Sequence, residues 1–298
     1  MTAVAPDERV ASENRNETRS EWTGGDRAVE ATSHVLLAIW SIIVIVPFLW
    51  VLLSSFKTTK EILASPFSLP AHWGVDNYVN AWTDAGIRKF FLNTVIVVGG
   101  ALVLVMLLGA MCAYVLARFV FPGARFIYYS MLAGLTFPIF LAVVPLFFIL
   151  KNGGLLNTLP GLIMVYVAFA LPFTVFFLYS FFKSLPNDVY EAAVMDGAGD
   201  WRIFFQIMLP MARPGIAAVA IFNFLGLWNQ FLLPVALNTD PDRYVLTQGM
   251  ANFASQAGYA VDFGALFAAV VITVVPVLIV YVIFQRRLEG SVSRGTFR

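Results

Sequence analysis

The sequence predicts an all-α membrane protein with six transmembrane helices. Of its 298 residues, 59% are hydrophobic and 12% are charged, whereas soluble domains carry about 25% charged residues. A helix needs about 20 mostly apolar residues to cross a bilayer, and six stretches of the sequence meet that requirement. The predicted spans cover residues 34–56, 92–117, 126–150, 159–182, 215–237 and 263–284.

The first predicted span follows a polar N-terminal segment, residues 1–33, which is rich in Glu, Arg, Ser and Thr. Such a composition buries too little apolar surface to offset the entropy of ordering the chain, so this cytoplasmic tail is predicted to be disordered. The span at 34–56 is interpreted as an uncleaved signal anchor. Residues 34–284 are predicted to form the transmembrane domain, and residues 285–298 a cytoplasmic C-terminal tail.

The second span carries small residues at every fourth position, at Gly109, Ala113 and Ala117. This spacing places them on one helix face, where they let a neighbouring helix approach closely. Prolines within several spans remove backbone donors and bend the helices. Such bends can serve packing or line a pathway, and both roles stay open. The prolines inside the spans are Pro47, Pro138, Pro145, Pro172, Pro234 and Pro276.

The fifth span is the least uniform, because Asn223, Trp228, Asn229 and Gln230 lie among its apolar residues. Amides can hydrogen-bond a neutral sugar, and aromatic faces can pack against its rings. Together with Tyr166 of the fourth span, these residues are the predicted contacts of a substrate path. The alternative stays open that the amides bond helices to each other and that the aromatic residues serve packing.

An even number of spans places both termini on the same side of the membrane. With the termini in the cytoplasm, most of the 19 Lys and Arg residues fall in cytoplasmic segments, in agreement with the positive-inside rule. The sequence therefore predicts cytoplasmic N and C termini and a cytoplasmic segment at 183–213. Two sizeable loops, at 57–91 and 238–262, are predicted to face outward.

The interiors of the predicted spans contain no Asp, Glu, Lys or Arg. Such groups mark proton relays and ion pathways, so their absence argues against a proton-driven transporter. The sequence also contains no GxxxxGKS/T loop for ATP and no set of residues at catalytic spacing. Cys112 is the single cysteine and is interpreted as a buried hydrophobe.

These absences predict a transport subunit that is not an enzyme and that binds no cofactor or metal itself. A net charge of +1 argues against a nucleic-acid partner and leaves membrane lipid as the surrounding medium. Because the chain carries no energy source of its own, uphill transport would have to be driven by a partner.

A polar, turn-rich segment at 184–213 separates the fourth span from the fifth. Ser184 is suited to cap a first short helix with Pro186 in its first turn, and this helix is predicted to end near Met195. Gly197 can then adopt the positive φ that the following turn requires. Asp200 is suited to cap a second short helix.

The apolar residues of that second helix fall at i, i+3, i+4 and i+7 and are predicted to share one face; they are Trp201, Phe204, Phe205 and Met208. The two helices would form an elbow at the cytoplasmic surface. It could lie on lipid headgroups, or the small side chains beside Glu191 could let another protein approach the backbone. The residue pattern alone leaves both open.

Residues 191–210, EAAVMDGAGDWRIFFQIMLP, resemble the EAA signature of ABC importer permeases. We call the segment 184–213 the EAA loop. The fixed positions of the signature fall on Glu191, Ala192, Ala193, Gly197, Ile207, Leu209 and Pro210. Residues 152–166, 171–198 and 222–234 are similar to the carbohydrate-uptake branch, in particular to the six-span partner of the maltose-type permease pair. Asp196 and the pair Trp228-Asn229 are typical of that branch.

This resemblance implies a type I ABC importer permease architecture. A second permease subunit would complete a heterodimer, an ABC ATPase dimer would use ATP and Mg on the cytoplasmic side, and an extracytoplasmic binding protein would deliver the solute. The solute would be a di- or oligosaccharide or a related glycoside, carried across the cytoplasmic membrane of a prokaryote. The resemblance assigns ATPase coupling to Glu191, Ala192, Ala193, Asp196 and Gly197. Residues 288–298, LEGSVSRGTFR, keep part of the glycine-rich tail usual in this branch.

Two alternatives remain open from the sequence. One is an ABC permease for another polar solute, such as a glycerol phosphodiester, and the other is a non-ABC membrane channel or enzyme. A phosphate site would favour Arg or Lys facing the path, and the spans supply none. The lack of pore charges and of catalytic residues weighs against the channel and the enzyme.

Overall fold

The computed structural model describes residues 24–256 and 262–292, and within these ranges the chain is helical with no strand. One helix contains a π-helical segment, Ile203–Met208, and a short 3-10 turn covers Pro241–Arg243. The helices are α1 Gly24–Ser54, α2 Thr59–Ala64, α3 Asp76–Thr83, α4 Ile87–Arg118, α5 Ala124–Thr136, α6 Ile139–Asn152, α7 Leu159–Ser184, α8 Asn187–Met195, α9 Asp200–Met211, α10 Arg213–Trp228, α11 Leu232–Leu237, α12 Leu246–Gln256 and α13 Phe263–Val292.

The chain divides into two units, Met1–Val51 and Leu52–Arg298. In the first unit, α1 exposes every side chain from residue 29 to residue 49. An apolar helix with no buried face is suited to a hydrocarbon environment. The helix begins at Gly24, so the predicted disorder is wrong for the last part of the N-terminal tail. The earlier part of that tail and the last residues of the C-terminal tail lie outside the described residues.

Four described helices are long and apolar enough to cross a membrane, namely α1, α4, α7 and α13. The count rises to 6 if each of two bent pairs forms one span: α5 with α6, bent by 108°, and α9 with α10, bent by 77°. The architecture is therefore an all-α membrane protein, as predicted, with four continuous candidate spans and up to six in all.

The predicted continuous helices at 126–150 and 215–237 are both interrupted. The first breaks at Phe137 and Pro138, whose backbones are extended. A proline lacks the N–H donor of a helix and disfavours helical geometry in the residue before it, which accounts for this break. The second ends at Trp228, and α11 begins only at Leu232. Pro234 then lies in the first turn of α11, where a missing donor is harmless.

α4 and α7 form the most extensive helix pair. Gly109 and Ala113 are buried on α4, and a Cβ added to Gly109 would lie 2.5 Å from Cγ2 of Thr174 on α7. The predicted stripe of small residues therefore serves close packing between these helices. One hydrophobic cluster lies where α4 begins, around Ile87, and a second lies where α4 ends, around Tyr114.

Lys57 anchors the segment that leads from α1 to α4. Its side chain is 1% exposed, and its Nζ donates to the carbonyl oxygens of Ser65 at 3.3 Å and Pro66 at 3.0 Å. Ser65 is the C-cap of the short helix α2 and Pro66 follows it, so the ammonium lies at a helix C-terminal end, which favours a cation. Hydrogen bonds from the backbone and hydroxyl of Thr58 hold the pKa of Glu61 below its usual value. This segment is consequently an ordered part of the molecule.

Candidate functional site

The EAA loop forms an elbow of two helices, α8 and α9, joined by a four-residue turn. The predicted cap at Ser184 is wrong: α7 continues through this residue, and its hydroxyl donates to the carbonyl of Phe181. Instead, Pro186 occupies the N-cap position of α8 without a side-chain bond. Pro186 therefore precedes the first turn of α8, where its missing N–H removes no intrahelical hydrogen bond.

The turn between the two helices depends on Gly197. Its φ is +73°, as predicted, and α8 ends in a Schellman motif around it. The N–H of Ala198 donates to the carbonyl of Ala193, and the N–H of Gly197 donates to the carbonyl of Val194, both at 3.0 Å. These bonds satisfy carbonyls that a helix end leaves unpaired. The direction in which α9 leaves α8 is therefore set by one glycine.

Four of the predicted coupling residues lie on the surface and one does not. Glu191, Ala192, Asp196 and Gly197 are exposed, whereas Ala193 is 6% exposed and belongs to the hydrophobic cluster at the end of α4. A cleft of about 540 Å³ opens between α8 and α9, which gives the elbow a concave surface. The residues lining the cleft are Asp188, Val189, Ala192, Ala193, Asp196, Ala198, Arg202 and Ile207.

The π-helical segment of α9 changes which residues are buried. Ile203, Phe204 and Met208 lie in the core, while Trp201 and Phe205 are exposed and stack with ring centroids 5.9 Å apart. The prediction that Trp201, Phe204, Phe205 and Met208 share one face is therefore wrong, because it assumed an α-helical period. The predicted cap at Asp200 is also wrong: Gly199 holds the N-cap position and makes no side-chain bond.

Arg118, the last residue of α4, fastens that helix to the start of the EAA loop. Its Nη2 donates to the carbonyls of Phe182 at 2.9 Å and Leu185 at 2.8 Å, and its Nη1 donates to the side-chain oxygen of Asn187. No sequence motif marks this residue. A basic residue at the end of a long apolar helix could have drawn attention to it, since cations there often satisfy unpaired carbonyls.

The predicted path residues divide into buried and accessible positions. Tyr166, Asn223 and Trp228 are at most 5% exposed. The Asn223 amide donates to Thr174 Oγ1 at 2.8 Å, and the Trp228 indole donates to the carbonyl of Thr273 at 3.2 Å. Both bonds join neighbouring helices.

Asn229 and Gln230 lie at the break after α10, where Asn229 is exposed and Gln230 is half-buried. The Asn229 amide donates to the carbonyl of Leu225 one turn earlier, and the carbonyl of Gln230 accepts from Thr247. Contact with a solute stays a prediction for all five path residues. Among them, the exposed Asn229 is the most accessible to a solute.

We expect Asn223→Ala to destabilise the assembled protein by about 1 kcal/mol, since it removes a buried hydrogen bond, and to leave the KM for solute uptake unchanged. Thermal unfolding and uptake kinetics of the purified complex measure the two effects. Asn229→Ala is the matched control for stability alone, because its exposed amide donates within one helical turn, to the carbonyl of Leu225. A raised KM with normal stability in Asn223→Ala would contradict this structural role.

An all-α bundle with several candidate membrane spans and an exposed EAA loop is the architecture of a membrane transport subunit. The chain belongs to the family described as "Binding-protein-dependent transport system inner membrane component", which matches residues 105–294. It is a permease component of an ABC transporter and not an enzyme.

Among its relatives, the diacetylchitobiose uptake system permease protein NgcG of Streptomyces coelicolor is 71% identical over 100% of both chains. The trehalose transport system permease protein SugB of Mycobacterium tuberculosis is 32% identical over 85% of this chain and 92% of that protein. In structure, the chain is similar to a bacterial ABC transporter involved in alginate import, with a TM-score of 0.78 and 21% identity over 89% of this chain and 98% of that one. That likeness concerns the fold.

Membership of this family implies a multicomponent system. The chain works in the inner membrane with a partner permease, an ATPase and a solute-binding protein. The alternatives of a non-ABC channel and of a membrane enzyme are thereby set aside.

Proposed function

We propose that this chain is a permease subunit of an ABC importer for a small oligosaccharide, with diacetylchitobiose as its sugar. The single observation that carries the proposal is the 71% identity to a diacetylchitobiose uptake permease along the full length of both chains. The trehalose permease at 32% identity supports sugars as the broader class. A glycerol phosphodiester is the second candidate, and no observation on the described residues favours it.

The EAA loop would couple the chain to a separate ATPase. Support comes from the exposed Glu191, Ala192, Asp196 and Gly197 and from the cleft between α8 and α9. ATP and Mg would be bound by that partner, because this sequence contains no phosphate-binding loop. Closure of the ATPase dimer would displace the EAA loop and shift the permease pair between inward-open and outward-open states.

This function requires the EAA loop to face the cytoplasm, and with it the two termini. The predicted excess of Lys and Arg on that side supports this orientation. The segments between α1 and α4 and between α11 and α13 would then face the binding protein. The second permease subunit would be a different chain, and an ABC ATPase dimer would sit below the pair.

Reconstitution of the full importer tests the proposed sugar. Proteoliposomes that contain both permeases and the ATPase, with the binding protein added, are expected to accumulate radiolabelled diacetylchitobiose only when ATP is present inside. Trehalose and a glycerol phosphodiester serve as comparison solutes under the same conditions. The proposal is overturned if a comparison solute is accumulated and diacetylchitobiose is not.

A further inference from the structure

We infer that Arg118 is a positioning residue that makes α4 move together with the EAA loop when the ATPase acts. The inference rests on the proposed coupling function and adds to it a named connection inside this subunit. Arg118 itself lies outside the cleft that the ATPase would occupy, so its role would be to transmit displacement.

The hydrogen bonds of Arg118 join separate parts of the chain. The carbonyls of Phe182 and Leu185 belong to the last turn and C-cap of α7, and Asn187 is the first residue of α8. One guanidinium therefore connects the end of α4 with the point where α7 passes into α8. A guanidinium offers five donors in a fixed plane, whereas lysine offers a single ammonium that cannot reach three separated acceptors equally well.

Aromatic side chains on either side of Arg118 reinforce the same junction. The ring of Tyr114 lies 5.6 Å from that of Phe182 and 5.0 Å from that of Phe204 on α9. The ring of Phe119 lies 6.4 Å from that of Tyr190 on α8. The end of α4 consequently contacts α7 and both helices of the EAA loop.

The junction continues into the membrane as a packed pair of helices. Gly109 on α4 leaves no room for a side chain beside Thr174 on α7, and Thr174 accepts the hydrogen bond of Asn223 on α10. A helix fastened both at its end and along its length moves as a rigid body with its partner. Displacement of α8 would thus reach α4 as well as α7.

The test uses the complete importer with Arg118→Met, which retains an unbranched apolar stem in place of the arginine methylenes and removes all the guanidinium donors. The stimulation of ATP hydrolysis by sugar-loaded binding protein, per assembled complex, is expected to fall about tenfold, the effect of losing hydrogen bonds to a charged group. Arg118→Lys is expected to give an intermediate value. Arg125→Met is the matched control, an exposed arginine on the next helix, and is expected to change stimulation less than about twofold.

A second measurement does not depend on the sugar. Spin labels at the exposed Val115 on α4 and Val194 on α8, in a Cys112→Ala background, report the distance between the two helices. The distance is measured without added sugar, in the nucleotide-free state and in the ATP-trapped state. In the unmodified complex we expect the same distance in both states. In Arg118→Met we expect the distance to differ between the two states.

The outcomes separate the inference from the proposed function. Normal stimulation and an unchanged distance in Arg118→Met would overturn the inference, as would an equal loss in Arg125→Met. If Arg118→Met does not assemble, Arg118→Lys and Asn187→Ala test the role of Arg118 by the same two measurements. If diacetylchitobiose fails to stimulate the unmodified complex, the proposed sugar is wrong, and the distance measurement still decides the role of Arg118.

Discussion

Replacing Gly197 with alanine is expected to lower ATP-driven sugar uptake by the assembled importer about tenfold, because a left-handed backbone costs an L-residue about 1–2 kcal/mol. Gly197 has a φ of +73° in the Schellman motif that ends α8. Relief of the strain would change the angle at which α9 leaves α8 and would alter the cleft between them. Uptake and ATP hydrolysis by proteoliposomes that contain equal amounts of complex measure this effect.

Gly199→Ala is the matched control for this prediction. Gly199 is exposed two residues further along, with a φ of −72° that any residue adopts, and a Cβ there would meet nothing within 4 Å. Sugar uptake by the Gly199→Ala importer is expected to stay close to that of the unmodified importer. Equal effects of the two substitutions would show that the turn conformation at Gly197 is unimportant for coupling.

Gly109→Val is expected to have the largest effect on stability. A Cβ at this position would lie 2.5 Å from Thr174 Cγ2 and 3.0 Å from Thr174 Cβ, so the added methyl groups would force α4 away from α7. Overpacking of this kind costs about 1–3 kcal/mol. We expect a lower yield of monodisperse complex in detergent and a lower temperature of thermal unfolding.

Gly99→Val provides the comparison within the same helix. A Cβ at Gly99 would meet nothing within 4 Å, and valine is tolerated in a helix at a small intrinsic cost. Stability is therefore expected to stay near that of the unmodified protein. If Gly99→Val were as destabilising as Gly109→Val, the effect would come from the β-branched side chain and not from helix packing.

The helical class, the long spans and the turn at Gly197 are predictable from the sequence because each depends on a local pattern. Apolar stretches of sufficient length must cross or lie in a membrane, and a glycine between two short helices supplies a positive φ. The stripe at Gly109 and Ala113 was also predicted correctly, since four-residue spacing of small side chains favours close helix contact.

The predictions that are wrong concern places where tertiary contacts override local preferences. The π-helical segment at Ile203–Met208 shifts the burial of Trp201 and Phe205, and helix periodicity alone does not reveal such an insertion. The sequence predicts a kink where the structure has a break at Phe137 and Pro138, because a proline is equally compatible with a bend inside one helix and with a gap between two. The hydrogen bonds of Arg118 join residues more than sixty positions apart, which no local pattern could predict.

The 77° bend between α9 and α10 determines what kind of movement the membrane domain can receive. A push along the axis of α9 arrives nearly at right angles to α10, so little of it is directed along the axis of α10. In the proposed coupling, displacement of the EAA loop would therefore tilt the fifth span sideways and would not shift it along its own axis.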